Sequence, residues 1–296
     1  MLNNRTIMII FFKMILLLFI SSTVAFSEEN ATDTIPEGPW KFNLFASQQL
    51  NQISFSNWAQ GGENSLASTS VLNFGATYTK GNFELENMLN MSYGILKVED
   101  TPVRKNEDRI FFWSKGGREV SNNLSTSILL EFRTQFAKGY KYPNDSVMVS
   151  NFMAPGKLRL SLGADYKPWE FLSIFFSPAS GRLIFVLDET LSNQGAFGVK
   201  EGESIAVEFG VLANFMFSKE VFEDVIVESR LTLFNNLVDN EKDNRKNTNV
   251  DWETSVNLKI NHYLSASFLF HLLYDHDIIQ KTQTRQLLGI GFSYRI

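Results

Sequence analysis

The chain of 296 residues has no cysteine, which excludes disulfide frameworks, thiol catalysis, cysteine-based zinc sites and a lipoprotein anchor on cysteine. Positive charge is in short supply: 27 Lys and Arg face 32 Asp and Glu, and no basic block is present to track a phosphate backbone. Nucleic acid is therefore not an expected partner. There is no Gly-rich phosphate loop and no His pair at metal spacing, so no cofactor, metal or catalytic residue is assigned. Long apolar runs are also missing beyond residue 24, whereas a spanning helix needs roughly 20 apolar residues. A mature chain of this kind is either an exported soluble protein or a membrane β-barrel. What is plentiful is Phe, 27 residues in a sequence that is 44% hydrophobic and 20% charged, which is incompatible with disorder.

Residues 1–27 carry Arg5, an apolar stretch interrupted by Lys13, and the small residues Ala25 and Ser27 around a cleavage-type site. This pattern predicts a secretory signal peptide over 1–27. Residues 28–39, with two Pro, read as a short linker, and 40–296 as the barrel.

From Trp40 onward apolar residues recur at every second position, the period of a strand. Phe83, Leu85, Leu89, Met91, Tyr93 and Ile95 alternate with Glu84, Glu86, Asn90, Ser92 and Gly94. Strands are expected near 40–56, 65–79, 82–97, 109–119, 124–136, 157–166, 170–187, 203–217, 221–236, 250–261, 264–276 and 284–296. Short joints at 80–81, 120–123, 167–169, 218–220 and 262–263 alternate with longer ones. About twelve strands with short turns on one rim and long loops on the other describe an all-β, closed antiparallel transmembrane β-barrel, preceded by a signal peptide, in the cell outer membrane. Six of seven Pro fall outside these strands; Pro178 falls inside one and predicts a bulge or kink with Gly181. Turning the polar face outward would put Arg133, Arg230 and Arg285 in lipid at roughly 2 to 4 kcal/mol each, so the apolar face points out.

The polar face then lines a lumen. Its candidate lining residues are Glu84, Glu86, Glu131, Arg133, Glu208, Glu228, Arg230, His271 and Arg285, joined by Asp165, Asp251, Glu253, Asp275, Lys157, Arg159, Lys259 and Arg295. Neither sign dominates, which suggests cross-strand ion pairs that fill and stiffen the interior. Twelve strands lie between eight, where side chains fill the interior, and sixteen, where a water channel remains, so pore and plug both stay open. Catalysis is not expected: His262 sits at a turn, His271 on the inner face, and Asp275, His276 and Asp277 are consecutive and point to alternating faces.

Two segments break the alternation. One is the loop 57–64, Asn57-Trp58-Ala59-Gln60-Gly61-Gly62-Glu63-Asn64, where Gly61 and Gly62 permit a tight return and Trp58 offers an apolar anchor. It reads either as a compact turn or as a constriction or contact surface. The other runs from Ser177-Pro178-Ala179-Ser180-Gly181 through Val186, Asp188 and Leu191 to Gly195-Ala196-Phe197-Gly198-Val199. On these residues the chain resembles the exported Bacteroidota proteins of domain-of-unknown-function family 3078, over nearly the whole mature chain. The resemblance implies an outer-membrane barrel and leaves activity unassigned. The terminal residues 291–296 also resemble the signal read by the barrel-assembly machinery, with Ile296 in place of the usual aromatic residue.

The expected partners are outer-membrane lipid, the barrel-assembly machinery during biogenesis, and either a small-molecule solute or an outer-membrane partner protein. A polar lumen makes a narrow passive channel, a porin-like uptake protein for small solutes, the leading expectation. The alternative is a plugged structural, assembly or surface-interaction barrel.

Overall fold

In the computed structural model, residues 38–55, 62–142, 145–238, 247–276 and 278–295 are described. The expected signal peptide and all but the last two residues of the linker lie outside this set. Twelve strands form one closed antiparallel barrel: β1 (Trp40–Ile53), β2 (Ser65–Lys80), β3 (Phe83–Val98), β4 (Arg104–Ser121), β5 (Leu124–Thr134), β8 (Gly156–Trp169), β9 (Leu172–Phe185), β10 (Ile205–Phe222), β11 (Val225–Asn236), β12 (Thr248–Lys259), β13 (Leu264–Asp275) and β14 (Ile279–Arg295). A small hairpin, β6 (Gly139–Tyr140) and β7 (Met148–Ser150), lies in the loop between β5 and β8. Each barrel strand pairs with its sequence neighbour in the wall, and β14 closes on β1. Among the described residues no helix is long and apolar enough to cross a membrane.

Four of the short joints contain two residues, because pairing resumes at Lys80↔Phe83, Ser121↔Leu124, Trp169↔Leu172 and Phe222↔Val225. Three of them carry the positive φ that such tight hairpins require, at Gly81, Asn123 and Asp224. The turns expected at 167–169 and 218–220 are displaced to 170–171 and 223–224. Ser218, Lys219 and Glu220 look like turn residues, yet they continue the ladder with β11 past the apolar band, and Lys167 lies within β8. Pro168 thereby falls inside β8, at the register break between Tyr166 and Trp169, so a second proline is in the wall. The long-loop ends of β4 and β14 likewise start earlier than expected, at Arg104 and Ile279, and β1 stops at Ile53.

The bulge expected at Pro178 is present. Leu162 pairs with Ala179 and Ala164 with Phe176, so β9 holds one extra residue there, and β10 shows the same shift between Gly210 and Leu212. Ser177 anchors it, its hydroxyl donating to the carbonyls of Leu162 (2.8 Å) and Ala179 (2.9 Å). Gly181 takes no part; it pairs in regular register with Leu160 and Phe209. The extra residue changes which side chains face inward: Ser173, Phe175 and Ser177 before it, Ser180, Arg182 and Ile184 after it.

Outside, the wall is apolar. Ile128, Leu160, Leu162, Phe176, Val207, Phe209, Leu288, Ile290 and Phe292 all point away from the interior and are exposed. Trp40, Phe83, Trp169, Phe222 and Tyr263 ring the short-turn end, with Trp40 stacked on Phe42 and Trp169 on Phe171. Trp252 is exposed nearer the other rim and packs edge-on against Phe270. Such belts mark the two boundaries of a bilayer. The outward face of β14 records the depth: Gln280, Thr282, Thr284 and Gln286, then Leu288, Ile290, Phe292 and Tyr294. Ile290→Arg is therefore expected to cost roughly 2 to 4 kcal/mol, and Thr284→Arg no more than about 1 kcal/mol. Guanidinium unfolding from lipid vesicles measures both; equal costs would place the band elsewhere.

Candidate functional site

The interior is filled at mid-height. Phe111 and Trp113 from β4, Leu129 from β5, Phe175 from β9, Leu212 from β10 and Phe234 from β11 point inward and pack into one cluster, each no more than 2% exposed. Met88 and Met216 pack against it. Aromatic residues on an inner wall present their electron-rich faces to cations. Arg109 and Arg133 each stand 5.1 Å from the Phe111 ring centre and Arg230 4.0 Å, while Arg159 and Arg182 flank Phe234 at 5.2 and 5.1 Å.

Carboxylates bind these guanidinium groups, several from the far side of the barrel. Arg109 on β4 makes a two-pronged bond to Glu253 on β12, diametrically opposite in the strand order. Arg133 reaches Asp251 at 2.7 Å, and His271 Nε2 lies 2.9 Å from the same carboxylate. Arg182 Nε donates to Glu208 (2.6 Å) and Nη1 to Asp275 (3.1 Å), which also accepts from Lys157 (3.1 Å). Arg285 bonds both oxygens of Glu107 at 2.8 and 3.0 Å. Arg159 pairs with Glu131. Aromatic cluster and ion pairs together form a septum across the lumen.

Of the residues the sequence points to, Glu131, Arg133, Glu208, Arg230, His271 and Arg285 lie in this septum. Glu84 and Glu86 sit instead at the short-turn mouth, both bound by Lys167. Glu228 accepts from Ser255 (3.3 Å) and lines the cavity between mouth and septum. Lys259, expected inside, belongs to the rim, 3.5 Å from Asp224 with both about half exposed. It is the last residue of β12, still paired with Ser265 on β13 but at the open end of the wall, where solvent reaches it. The sequence reading missed Glu107, Arg109, Lys115, Lys167 and Arg182. Ile110, Phe111, Phe112 and Trp113 form a continuous apolar run that hides the alternation of β4, and the bulge in β9 reverses the face on which Arg182 is counted.

Space remains on both sides. Above, toward the long loops, a small cleft of about 50 Å³ lies between Arg133, Lys157, Asp251 and Asp275. Below, a cavity of about 260 Å³ and a mouth of about 400 Å³ adjoin at Glu86, Lys167 and Glu170. In the mouth Lys115 pairs with Asp165 at 2.7 Å.

Residues 50–140 match the family described as "Protein of unknown function (DUF3078)". That stretch takes in the loop 57–64 and strands β2 to β5, and not the motif elements between 177 and 199. No curated protein matches the chain by sequence. Solved structures similar to it include the translocator domain of the autotransporter NalP from Neisseria meningitidis, at 11% identity over 99% of this chain and 98% of that one, TM-score 0.39. Others are an outer membrane channel from Pseudomonas putida F1 (10% identity, 91% and 100%, TM-score 0.41) and the outer membrane channel DcaP of Acinetobacter baumannii (8%, 87% and 96%, TM-score 0.32). At these identities the likeness concerns barrel architecture alone.

In the first motif, Asn57, Trp58 and Gly61 lie outside the described residues. Gly62 has a φ of +139°, with the Phe55 ring packed where a Cβ would stand. Asn64 accepts from the Phe55 amide (2.6 Å), and its own amide donates to Glu99 (3.3 Å); Glu63 precedes it, exposed and outside any strand. The second motif is structural. Val186 and Leu191 bury with Ala154 and Val199 in a small core on the long-loop side. Asp188 caps helix α1 (Glu189–Asn193), accepting from the Thr190 and Leu191 amides, and Asn151 Nδ2 donates to its other oxygen at 2.9 Å.

The Asn151 bond, followed by the two backbone bonds, holds the Asp188 carboxyl below its ordinary value. A depressed folded-state value stabilises at pH above the unfolded one, about 3.9 for Asp, and that contribution is lost as pH falls through the folded value. Exchange of the Thr190 and Leu191 amides, corrected for intrinsic rate, is expected to quicken below about pH 4 in the parent and to be fast and pH-independent in Asp188→Ala. A parent-like profile in the variant would refute the cap.

Proposed function

We propose that this chain is an outer-membrane barrel that stands plugged by its own side chains, serving as a structural or surface-interaction component and not as an open diffusion pore. One observation carries the reading: six apolar side chains, each no more than 2% exposed, close the lumen at mid-height inside a ring of cross-barrel ion pairs. Removing one partner of such a pair leaves a buried charge at a cost of roughly 3 to 5 kcal/mol, so the pairs hold one another and the septum in place. Outer-membrane placement is supported by the apolar belt, the aromatic rims and the asymmetry of turns and loops.

The channel reading draws support from the two adjoining cavities below the septum, which give a solute entry from the short-turn end. It requires the septum to open. Planar-bilayer recording separates the two. Purified parent protein is expected to be silent, and Phe111→Ala with Phe234→Ala to show stepwise currents; regular openings of the parent would overturn the plugged reading.

A further inference from the structure

The barrel wall is not equally sealed all round. Among the described residues neighbouring strands pair over ten to sixteen positions, except at the closing seam, where β1 and β14 pair from Phe45↔Arg295 to Gln49↔Gly291. Above that point β1 from Leu50 to Ile53 and β14 from Ile279 to Ile290 have no ladder to one another. The gap descends into the apolar band, because the outward residues beside it include Leu50 (53% exposed), Leu288 (75%) and Ile290 (63%). An unpaired edge in hydrocarbon is costly, so what spans the gap matters. A side chain does: Gln49 crosses the inner face of β14 and donates to Ser267 on β13 at 2.9 Å. It can do so only because position 289 is glycine, where a Cβ would come within 1.8 Å of the Gln49 amide oxygen.

Behind the seam the inner wall changes character. The four strands flanking it each contribute an apolar side chain to the 260 Å³ cavity: Val71 from β2, Phe45 from β1, Leu287 from β14 and Leu269 from β13. Leu287 lies on the unpaired stretch itself and is paired across the ladder with Leu269. A water-filled vestibule gains nothing from this strip, whereas an acyl chain gains about 0.8 kcal/mol for each methylene it buries. The cavity approaches the lower end of ordinary small-molecule sites, roughly 300 to 1,000 Å³.

We propose that the β1–β14 seam is a lateral portal, latched by Gln49, through which one acyl chain of a membrane amphiphile enters the lumen cavity. The proposal rests on the barrel being embedded in lipid and is independent of whether the septum ever conducts. Its occupant follows from continuity: Phe45, Val71, Leu269 and Leu287 lead from the gap into the cavity, beside the polar Asn73, Ser267 and Arg285, and the gap meets the hydrocarbon outside at Leu50, Leu288 and Ile290.

The test uses the whole protein in phosphatidylcholine vesicles with palmitate bearing a diazirine at its chain end, the adducts being mapped by peptide mass. Labelling of the segments containing Leu269 and Leu287 is expected on their inward residues, falling about tenfold in Leu269→Gln with Leu287→Gln and rising in Gln49→Ala. Leu50→Cys with Ile290→Cys occupies the next facing positions beyond the ladder, in a chain with no other cysteine. Oxidation of that pair is expected to suppress inward labelling, and reduction to restore it. Adducts confined to outward residues would overturn the site. Inward labelling unchanged by oxidation or by Gln49→Ala would overturn the portal. A parent protein that leaves the vesicles in plain buffer would instead sink the membrane-barrel reading beneath both.

Discussion

Hydrocarbon offers the backbone no hydrogen bonds, and this constraint organises everything else in the molecule. Strands in the apolar band must find neighbours over most of their length, so the sheet closes, and closure puts every second side chain inside whatever its chemistry. The polar residues of the chain are inward because outward positions are worse, not because a lumen needed lining. Once enclosed, those charges have little water, and the strongest remedy at hand is another enclosed charge. The cross-barrel pairs of Arg109 with Glu253 and of Arg285 with Glu107 are thus consequences of the wall.

The aromatic residues within the septum belong to the same logic. A guanidinium that cannot reach a carboxylate squarely still finds attraction over an aromatic face. Arg230 shows this: its nearest carboxylate oxygen, on Glu253, is 3.8 Å away, none of its guanidinium nitrogens makes a hydrogen bond among the described residues, and Phe111 lies beneath it. Phe111 receives three arginines in this way, so a single ring helps to hold a cluster of like charges together at the centre of the barrel.

Much of the wall was legible in the sequence because a strand's period of two is strict and the lipid punishes violations. Boundaries failed where that punishment stops: Ser218, Lys219 and Glu220 extend β10 beyond the band, where polar outward residues are free to occur. The interior was legible only as a set of inward positions. Which residue pairs with which depends on chords across the barrel, such as β4 to β12, and no local pattern encodes a chord. Arg182 was missed because one bulged residue reverses the count, and Phe111 and Trp113 were missed because inward aromatics look like a second outward face. The plug is made of the residues that break the alternation.

The same bulge governs how this chain tolerates insertion and deletion. Past Ala179 the rest of β9 keeps Arg182 and Ile184 enclosed only because one surplus residue precedes them. Losing that residue would rotate the remainder of the strand by half a turn, delivering a guanidinium to the acyl chains and stripping Glu208 and Asp275 of their shared counter-ion. Changes of length are cheap in the long loops, yet at this point in the wall a single codon would undo one end of the electrostatic chain that spans the barrel.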